Sequence, residues 1–510
     1  MANTSFDFIV VGAGSAGCAV AAGLADARLG TVCALEAGCS DDSPLVRTPF
    51  ALMFMMGSRK RDWLRTTTPQ SELGGRVLAV PRGRMIGGSG SINSMVWFRG
   101  RMDDFDHWGV DGWSSAEVAP AFEEIESRMM PQRLPYPHPL AERFARALDS
   151  DGQTPPSPDR EGAGVFQVNM RGSRRWSPAD AFLRPAEATG QLTVTTDSQV
   201  AKILFKDGRA VGVDLIGGRR ISARKGVVLS AGTIESPAIL MRSGIGPAKE
   251  LKSLGISVVK DAPEVGQNLH DHPAIGVHHA GPRSGYGLTL GQLPAWAIAP
   301  FSYLLANKGP FASNIVEAGA FFNARGTGEP PDVQVHFMPY MMGWRGRTRV
   351  LGSGYFADVL VCRPKSRGRL RLVSANADAA PEIDLGLLSH PDDLATLVAG
   401  FKRLRKILEA APFGSRRAPE AYPAGKASTD EEIERHIRDR LGTAYHPVGT
   451  LRMGNDNAPV SPRLQVKGIA GLWVADASVM PKVTSANTNA PSIMIGHRAA
   501  QIIAEDSREV

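Results

Sequence analysis

Cysteine is scarce in this sequence. Only Cys18, Cys33, Cys39 and Cys362 occur among the 510 residues, and no two of them form a CxxC pair. This usage argues against a disulfide framework or a zinc site, and it fits a reducing compartment. The N-terminus also lacks the basic segment that opens a secretory signal peptide, so we expect a cytoplasmic protein.

Strong charge and long apolar runs are lacking as well. Lys plus Arg number 58 and Asp plus Glu number 51, a net charge of +7, with no run of five basic residues. We therefore expect no nucleic-acid partner. The most apolar later stretch, 293–306, contains two prolines and is too short to span a bilayer, so the sequence predicts no transmembrane segment. We interpret it as a buried or lid helix, with a membrane-facing patch as the alternative.

Several catalytic signatures are missing from the chain. It contains no GxSxG, HExxH or Walker A pattern. These absences remove the commonest hydrolase, zinc-protease and P-loop interpretations.

Glycine, in contrast, is abundant, with 55 residues in the chain. Because glycine has no Cβ, it serves where backbone turns tightly or approaches a ligand. One such place is the GxGxxG pattern at 12–17, which follows a β-rich run at 6–11 and opens an Ala-rich helix. A second strand at 31–36 then ends in an acid. The segment predicts a βαβ unit that binds a dinucleotide.

Each conspicuous residue of this unit has a predicted task. Gly12 makes the tight turn, Gly14 admits the pyrophosphate, and Gly17 lets helix and strand pack closely. The N–H groups at the helix start suit the phosphates. Glu36 would accept hydrogen bonds from the ribose hydroxyls, which disfavours NADP. FAD and NAD both use this loop, so other segments must decide between them.

Four further segments distinguish FAD from NAD as the expected cofactor. They are 81–93, 230–246, 265–272, and 473–478 together with 487–491. With the glycine loop they make the chain resemble the glucose–methanol–choline (GMC) family of FAD-dependent oxidoreductases, from residue 7 to residue 504. The resemblance is strongest to the branch of choline dehydrogenases and broad alcohol dehydrogenases or oxidases. It implies an α/β fold, in which a Rossmann-type FAD-binding domain is joined to a substrate domain built on an antiparallel sheet with helices.

The resemblance also implies the cofactor and its contacts. FAD is expected to bind non-covalently, because Ile92 stands where some relatives carry a histidine bonded to the flavin. Gly90 departs from the family pattern, which has serine there. The implied cofactor-binding residues are Gly12, Gly14, Ser15, Ala16, Glu36, Ala37, Arg82, Gly83, Met85, Gly88, Ser89, Asn93, Met95, Val200, Ala231, Gly232, Asp476, Ala477 and Thr488.

Two residues are predicted to be catalytic. His446 lies in an apolar stretch before Pro447, which biases it toward an extended or turn backbone, and it matches the family's catalytic histidine. Asn487 matches a second position that relatives fill with His or Asn, and its amide would hold the substrate oxygen. A plain turn residue is the alternative interpretation of Asn487.

The implied reaction is oxidation of a primary or secondary alcohol to the aldehyde or ketone. His446 would accept the hydroxyl proton, flavin N5 would take the hydride, and O2 or a quinone-like acceptor would take the electrons. The alternative is a relative with the same fold that is non-redox or driven by light, of the hydroxynitrile lyase or fatty-acid photodecarboxylase type. The presence of His446 argues against the photodecarboxylases.

The substrate pocket is predicted from aromatic residues and one acid. Glu317 resembles an acid that choline-oxidising relatives place near a cationic head group, although a structural role is equally open. We expect His270 and His272 to be structural, and no metal. The candidate substrate residues are Trp97, Glu317, Phe337, Tyr340 and Tyr445, with Phe98, Met341, Tyr355 and Phe356 as further aromatic or apolar candidates.

The domain organisation is predicted to be discontinuous. The FAD-binding domain takes 1–145, 190–272 and 429–510, and the substrate domain takes 146–189 and 273–428. Near the C-terminus, Pro491 is expected at the first position of a helix whose positive end faces the cofactor.

Overall fold

A computed structural model describes residues 4–282, 284–287, 289–345, 348–423 and 427–508, without the side chains of 341–352. Two large sheets organise these residues, and each draws its strands from distant parts of the chain.

The first sheet has a parallel centre and an antiparallel edge. Its central strands Ser5–Val11 and Val32–Leu35 are mostly apolar and buried, as expected for the centre of a parallel sheet covered by helices. The strand Leu472–Val474 joins it from far along the chain, beside Arg220–Leu229. The order of the other strands is Leu192–Thr195, Val32–Leu35, Ser5–Val11, Arg220–Leu229, Arg209–Leu215 and Val200–Lys206.

Two helices beside this sheet pack closely on each other because glycine faces small residues or backbone. A Cβ on Gly23 of helix Ser15–Asp26 would lie 2.5 Å from the Cβ of Ala500. A Cβ on Gly496 of helix Asn489–Asp506 would lie 2.2 Å from the carbonyl oxygen of Ala16. This close contact holds the start of the C-terminal helix beside the glycine loop.

The second sheet is antiparallel throughout. Helix Pro391–Ala410 covers one face, burying Leu397, Phe401 and Leu404, and the other face borders the cavity described below. Gly442–Thr443 also pairs with its strand Pro273–Ala280. The strand order is Glu420–Tyr422, Pro273–Ala280, Gly354–Val361, Val333–Met338, Ala318–Phe322 and Gly162–Val165.

Shorter elements complete the described chain. The paired strands are Arg65–Thr66 with Ala79–Val80, Gln132–Arg133 with Gln167–Val168, Met170–Arg171 with Arg174–Arg175, Ile245–Gly246 with Lys260–Asp261, Met341–Arg345 with Thr348–Gly352, and Arg369–Arg371 with Glu382–Asp384. The other α-helices are Pro44–Arg47, Leu52–Met55, Met102–Asp106, Ser115–Met129, Pro139–Phe144, Arg184–Glu187, Gly232–Arg242, Ala248–Ser253, Leu293–Ala306 and Asp430–Arg440.

The predicted fold class is confirmed: an α/β architecture with a Rossmann-type sheet and a second, antiparallel sheet. The domain limits stay a prediction, and Gly442–Thr443 lies in the second sheet although the range 429–510 is predicted for the FAD-binding domain.

Two local predictions need correction. The stretch 293–306 forms the predicted helix, but most of its side chains are exposed, so the buried interpretation is wrong, and the lid and membrane-facing interpretations stay predictions. The C-terminal helix begins at Asn489, so Pro491 is its third residue and not its first. Over the residues with described positions, no helix has the length and apolarity needed to cross a membrane.

Candidate active site

One cavity of about 1120 Å³ runs from the glycine loop to the face of the antiparallel sheet. Pockets for single drug-sized ligands fall in the range of roughly 300–1,000 Å³, so this cavity is larger than one such ligand requires. Its two ends are marked by Glu36 at the first sheet and His278 at the second.

Glycine backbone forms the narrow part of the cavity wall. Gly12 has φ +97°, and a Cβ there would lie 2.6 Å from the carbonyl oxygen of Ser230. Gly88 has φ +53°, and a Cβ there would lie 2.8 Å from the Cα of Gly14. Three separate loops therefore meet backbone to backbone, which only glycine allows.

Glu36 ties this wall together from the end of its strand. One carboxylate oxygen accepts the N–H of Ala13 at 3.0 Å, and the other accepts the N–H of Gly38 at 2.9 Å. Burial raises the pKa of Glu36 to about 7, since the charged form loses solvation. The acid thus faces the cavity and holds the glycine loop at the same time.

Asp476 holds the loop before helix Gly232–Arg242 through hydrogen bonds, as Glu36 holds the glycine loop. Its carboxylate accepts the N–H of Gly232 at 2.9 Å, the hydroxyl of Ser236 at 2.6 Å and the N–H of Ser478 at 2.8 Å. Gly232 has φ +85° with no heavy atom within 4 Å of an added Cβ, so its backbone borders open cavity.

The C-terminal helix begins on the cavity wall. Ser15 of the glycine loop donates its hydroxyl to the side-chain oxygen of Asn489 at 2.7 Å. Thr488, Asn489 and Ser492 all line the cavity. The first N–H groups of this helix, which lack partners within the helix, are therefore available to an anionic group there.

His446 and His272 form a hydrogen-bonded pair whose proton positions follow from their partners. The Nε2 atom of His272 lies 3.1 Å from the carbonyl oxygen of Cys362 and 3.0 Å from that of Thr484, so Nε2 carries a proton. Burial lowers the pKa of His272 to about 4, which leaves the ring neutral and its Nδ1 an acceptor. Nδ1 of His446 lies 3.1 Å away and must donate. The Nε2 atom of His446 is therefore unprotonated.

The environment keeps His446 neutral. Burial lowers its pKa well below the usual value, and His272, His336 and Arg82 lower it further. His446 also lines the cavity. The site thus presents an uncharged nitrogen base rather than an imidazolium.

Asp271 fixes the backbone of both histidines. One carboxylate oxygen accepts the N–H of His446 at 2.8 Å and the N–H of His272 at 2.7 Å. Burial raises the pKa of Asp271 to about 6. Arg82 donates to the carbonyl oxygen of Tyr445, whose φ of +64° is unusual for a residue other than glycine. The chain is therefore held tightly on both sides of His446.

Asn487 lies on the other side of the His446 ring. Gln334 donates to the side-chain oxygen of Asn487 at 3.1 Å, which turns the amide nitrogen toward His446 Nε2 at 3.2 Å. An amide nitrogen has two hydrogens, so Asn487 can donate to His446 and to a second oxygen in the cavity.

Most of the sequence-predicted cofactor residues lie on the cavity wall. Met85 does not: its side chain is fully buried among Val46, Leu52 and Met55. The residues that do line the cavity are Gly12, Gly14, Ser15, Ala16, Glu36, Ala37, Arg82, Gly83, Gly88, Ser89, Asn93, Met95, Val200, Ala231, Gly232, Asp476, Ala477 and Thr488.

Four of the five substrate residues predicted from the sequence do not line the cavity. Of these five, Tyr445 lines the cavity. Trp97 is buried, and its indole nitrogen donates to Glu126 at 2.9 Å. Phe337 lies on the opposite face of the sheet, stacked on Phe144 with ring centroids 4.5 Å apart.

The remaining two are packed away from the cavity. Tyr340 is buried beside Phe50, with ring centroids 5.6 Å apart. Glu317 has no exposed surface, and its carboxylate accepts the hydroxyl of Ser313 and the N–H of His138 at 2.5 Å. Of the further candidates Phe356 lines the cavity, Phe98 and Tyr355 do not, and the side chain of Met341 lies outside the described residues.

The residues found instead come from alternate positions of the second sheet. His336 and Met338 face the cavity from one strand, as Phe356 and Asp358 do from its neighbour. His278 adds a third polar side chain, and Leu52, Met53 and Met56 close the opposite side. The alternation of side chains along each strand marks these positions in the sequence. It does not show which face of the sheet borders the cavity.

The contact of His272 with His446 is the other feature that the sequence reasoning missed. The short spacing of His270, Asp271 and His272 is visible in the sequence, yet it does not reveal that residue 446 lies opposite. His270 does have a structural role: its Nε2 accepts the N–H of Val483 at 3.0 Å.

Known proteins share this architecture. The family described as GMC oxidoreductase matches residues 6–274 and 364–496. The chain is 38% identical to an alcohol dehydrogenase (acceptor) of Pseudomonas putida, over 98% of this chain and 95% of that protein. It is 36% identical to an oxygen-dependent choline dehydrogenase of Brucella ovis, with the same coverage. The solved pyridoxine 4-oxidase from Mesorbium loti superposes with a TM-score of 0.86 at 28% identity, covering 97% of this chain and 98% of that one.

Proposed function

Because this chain belongs to the GMC oxidoreductase family, and so is an FAD-dependent enzyme acting on CH–OH groups, we propose that it oxidises a primary or secondary alcohol with His446 as the base. The observation that supports this most is the unprotonated Nε2 of His446, held on the cavity wall beside Asn487.

The narrow part of the cavity suits FAD. The walls at Gly12, Gly14, Gly88 and Gly232 are bare backbone, and the C-terminal helix offers its N–H groups. When bound there, FAD supplies the two-electron acceptor for the hydride of the alcohol carbon. Ile92 lines the cavity with a side chain that has no nucleophilic atom, which supports non-covalent binding.

Proton transfer is the task of His446. The single lone pair of its Nε2 accepts the hydroxyl proton in place of the hydrogen bond from Asn487, while Nδ1–H keeps its hydrogen bond to His272. The amide of Asn487 then donates to the substrate oxygen as negative charge grows on it. Gln334 keeps that amide in the donating orientation.

The sheet end of the cavity sets the kind of alcohol. Leu52, Met53, Met56, Met338 and Phe356 give it an apolar wall. His278, His336 and Asp358 form a polar group on the same face, with His336 Nδ1 3.3 Å from an oxygen of Asp358. We therefore infer an alcohol with an apolar body and a polar substituent at some distance from the reacting carbon.

A panel of alcohols tests the proposal. Short aliphatic, aromatic and amino alcohols, choline included, are incubated with the FAD-loaded enzyme, with O2 and with an artificial dye acceptor in parallel. Formation of aldehyde or ketone from at least one class supports the proposal, and the faster acceptor identifies the oxidising partner. Carbonyl formation by none of them, or turnover that requires light, would reject it in favour of the non-redox or light-driven alternative.

A further inference from the structure

Helix Leu293–Ala306 presents apolar side chains to solvent on a scale unusual for a surface helix. Leu290, Ile298, Phe301, Leu304 and Leu305 expose 62–89% of their surface, and Phe54 of helix Leu52–Met55 exposes 68%. Isolated exposed apolar residues are normal, but a contiguous group marks an interaction site. We call this group, with Leu293, the apolar face.

The apolar face is held outward by the contacts behind it. The ring of Trp296 lies 5.4 Å from Phe50, and Ala299 and Tyr303 are buried. The hydroxyl of Tyr303 donates to the carbonyl oxygen of Ser173 at 3.2 Å. One side of the helix is therefore anchored to the protein, and the other remains without cover in the described chain.

Cationic side chains border the apolar face. The segments 43–61, 162–179 and 272–316 together contain nine Lys and Arg residues and no Asp or Glu, and one of the nine, Arg47, pairs at 2.9 Å with Asp42 just outside them. They meet here, since the guanidinium of Arg175 donates to the carbonyl oxygen of Val46 at 3.0 Å and the hydroxyl of Ser173 donates to that of Asn307. Among them, Arg171, Arg174 and Lys308 are exposed beside the C-terminal end of the helix.

From the apolar face and its cationic margin, we propose that this surface docks on an anionic lipid bilayer, with the helix lying in the plane of the interface. Side chains such as Phe301 and Leu305 enter the boundary of the acyl chains, while Lys308 and its neighbours contact anionic head groups. A second copy of this chain fits less well. A symmetric dimer through the same face would bring the two cationic margins together and place like charges opposite each other.

The position of this surface links it to the cavity. Phe54 belongs to the apolar face, whereas Leu52 and Met53 of the same helical turn, and Met56 after it, line the cavity. Docking therefore brings the apolar wall of the substrate cavity next to the membrane, where lipophilic alcohols and acceptors concentrate. The docking itself does not depend on the reaction proposed above.

Vesicle flotation of the FAD-loaded enzyme tests the proposal. We expect it to float with vesicles of phosphatidylcholine and phosphatidylglycerol, and to float less with phosphatidylcholine alone or in high salt. The triple variant Phe301→Ser, Leu304→Ser, Leu305→Ser should lose about tenfold or more in vesicle partitioning. Its matched control, Val259→Ser with Val373→Ser, removes exposed apolar side chains elsewhere and should bind as the original chain does.

A second variant keeps the test decisive if the triple variant folds poorly. Lys308→Glu with Arg174→Glu leaves the apolar side chains in place and should weaken binding to anionic vesicles on the order of tenfold. Oxidation of a water-soluble alcohol in the absence of vesicles should stay unchanged. Failure to float with anionic vesicles, or a dimer in sedimentation that the triple variant abolishes, would overturn the proposal.

Discussion

The proton positions of two histidines determine what this site can do. Two carbonyl oxygens at His272 Nε2 fix its proton there, and that choice passes to His446 through one hydrogen bond. A ring nitrogen without a proton then faces the cavity. In the proposed reaction His272 is therefore a positioning residue, which would act through His446.

The pH profile of kcat/KM should report this environment. Burial and neighbouring positive groups lower the pKa of His446, so the neutral form persists as pH falls below the usual histidine value of about 6.5. Activity should be lost only when pH falls through the lowered pKa. We therefore expect the acid limb of kcat/KM to lie below the usual histidine value. An acid limb at pH 6.5 or above would contradict the assignment.

Replacement of Asn487 tests the donor to the substrate oxygen. Asn487→Leu removes the amide hydrogens, so kcat should fall roughly 10²–10³-fold, the cost of losing one such donor. Asn487→His restores a donor and should recover part of this loss. Steady-state kinetics on the best alcohol of the panel measure both. A loss confined to KM would show that Asn487 binds the ground state and the transition state equally, which would contradict its predicted role.

At the scale of elements, the shape of the glycine loop depends on the close contact of three turns. Gly12→Ala should abolish FAD retention, since its Cβ would lie 2.6 Å from the carbonyl oxygen of Ser230. Gly217→Ala is the matched control, because φ is +91° there but no atom lies within 4 Å of the new Cβ. The flavin absorbance of the purified proteins measures the difference. Retention of FAD by Gly12→Ala to the same extent as by Gly217→Ala would contradict the account of the clash.

The elements also differ in how well their residues at the cavity could be predicted from the sequence. The βαβ unit is local, so its pattern predicted Gly12, Gly14 and Glu36 on the cavity wall. Phe337 and Met338 are adjacent apolar residues of one strand, and only pairing with neighbouring strands decides that Met338 faces the cavity. The resemblance implies Glu317 as a substrate residue, yet its side chain is completely buried and bonded to Ser313 and His138.

The partners of His446 and Asn487 illustrate the same limit. Both residues were found from their motifs, but His272 lies 174 residues before His446, and Gln334 lies 153 residues before Asn487. No local pattern joins such positions. These residues come together only because the chain returns from the second sheet to the cavity wall.

At the scale of the whole molecule, buried acids should make stability depend on pH. Burial raises the pKa of Glu317 to about 7, against about 4.3 for an unfolded glutamate. The folded state therefore binds a proton that the unfolded state has released, and this contribution to stability is present below pH 4.3 and lost as pH rises through 7. Glu317→Gln should reduce the fall in Tm between pH 5 and 8.

The control for this effect is Glu123→Gln, which changes an exposed glutamate. Thermal unfolding of the three proteins across that pH range, with FAD bound, measures the slopes. If Glu317→Gln and the original chain lose Tm equally, Glu317 is ionised in the folded protein and the account of its burial is wrong.

Anaerobic stopped-flow reduction of the bound flavin by an alcohol tests the central claim most directly. With the preferred alcohol, the visible absorbance of the flavin should bleach rapidly in the original enzyme. In His446→Ala the rate should fall roughly 10²–10⁴-fold, the usual worth of a base. His497→Ala, which removes a histidine bound to Glu124 outside the cavity, should leave it unchanged. Bleaching at the original rate in His446→Ala, or no bleaching by any alcohol, would contradict the account.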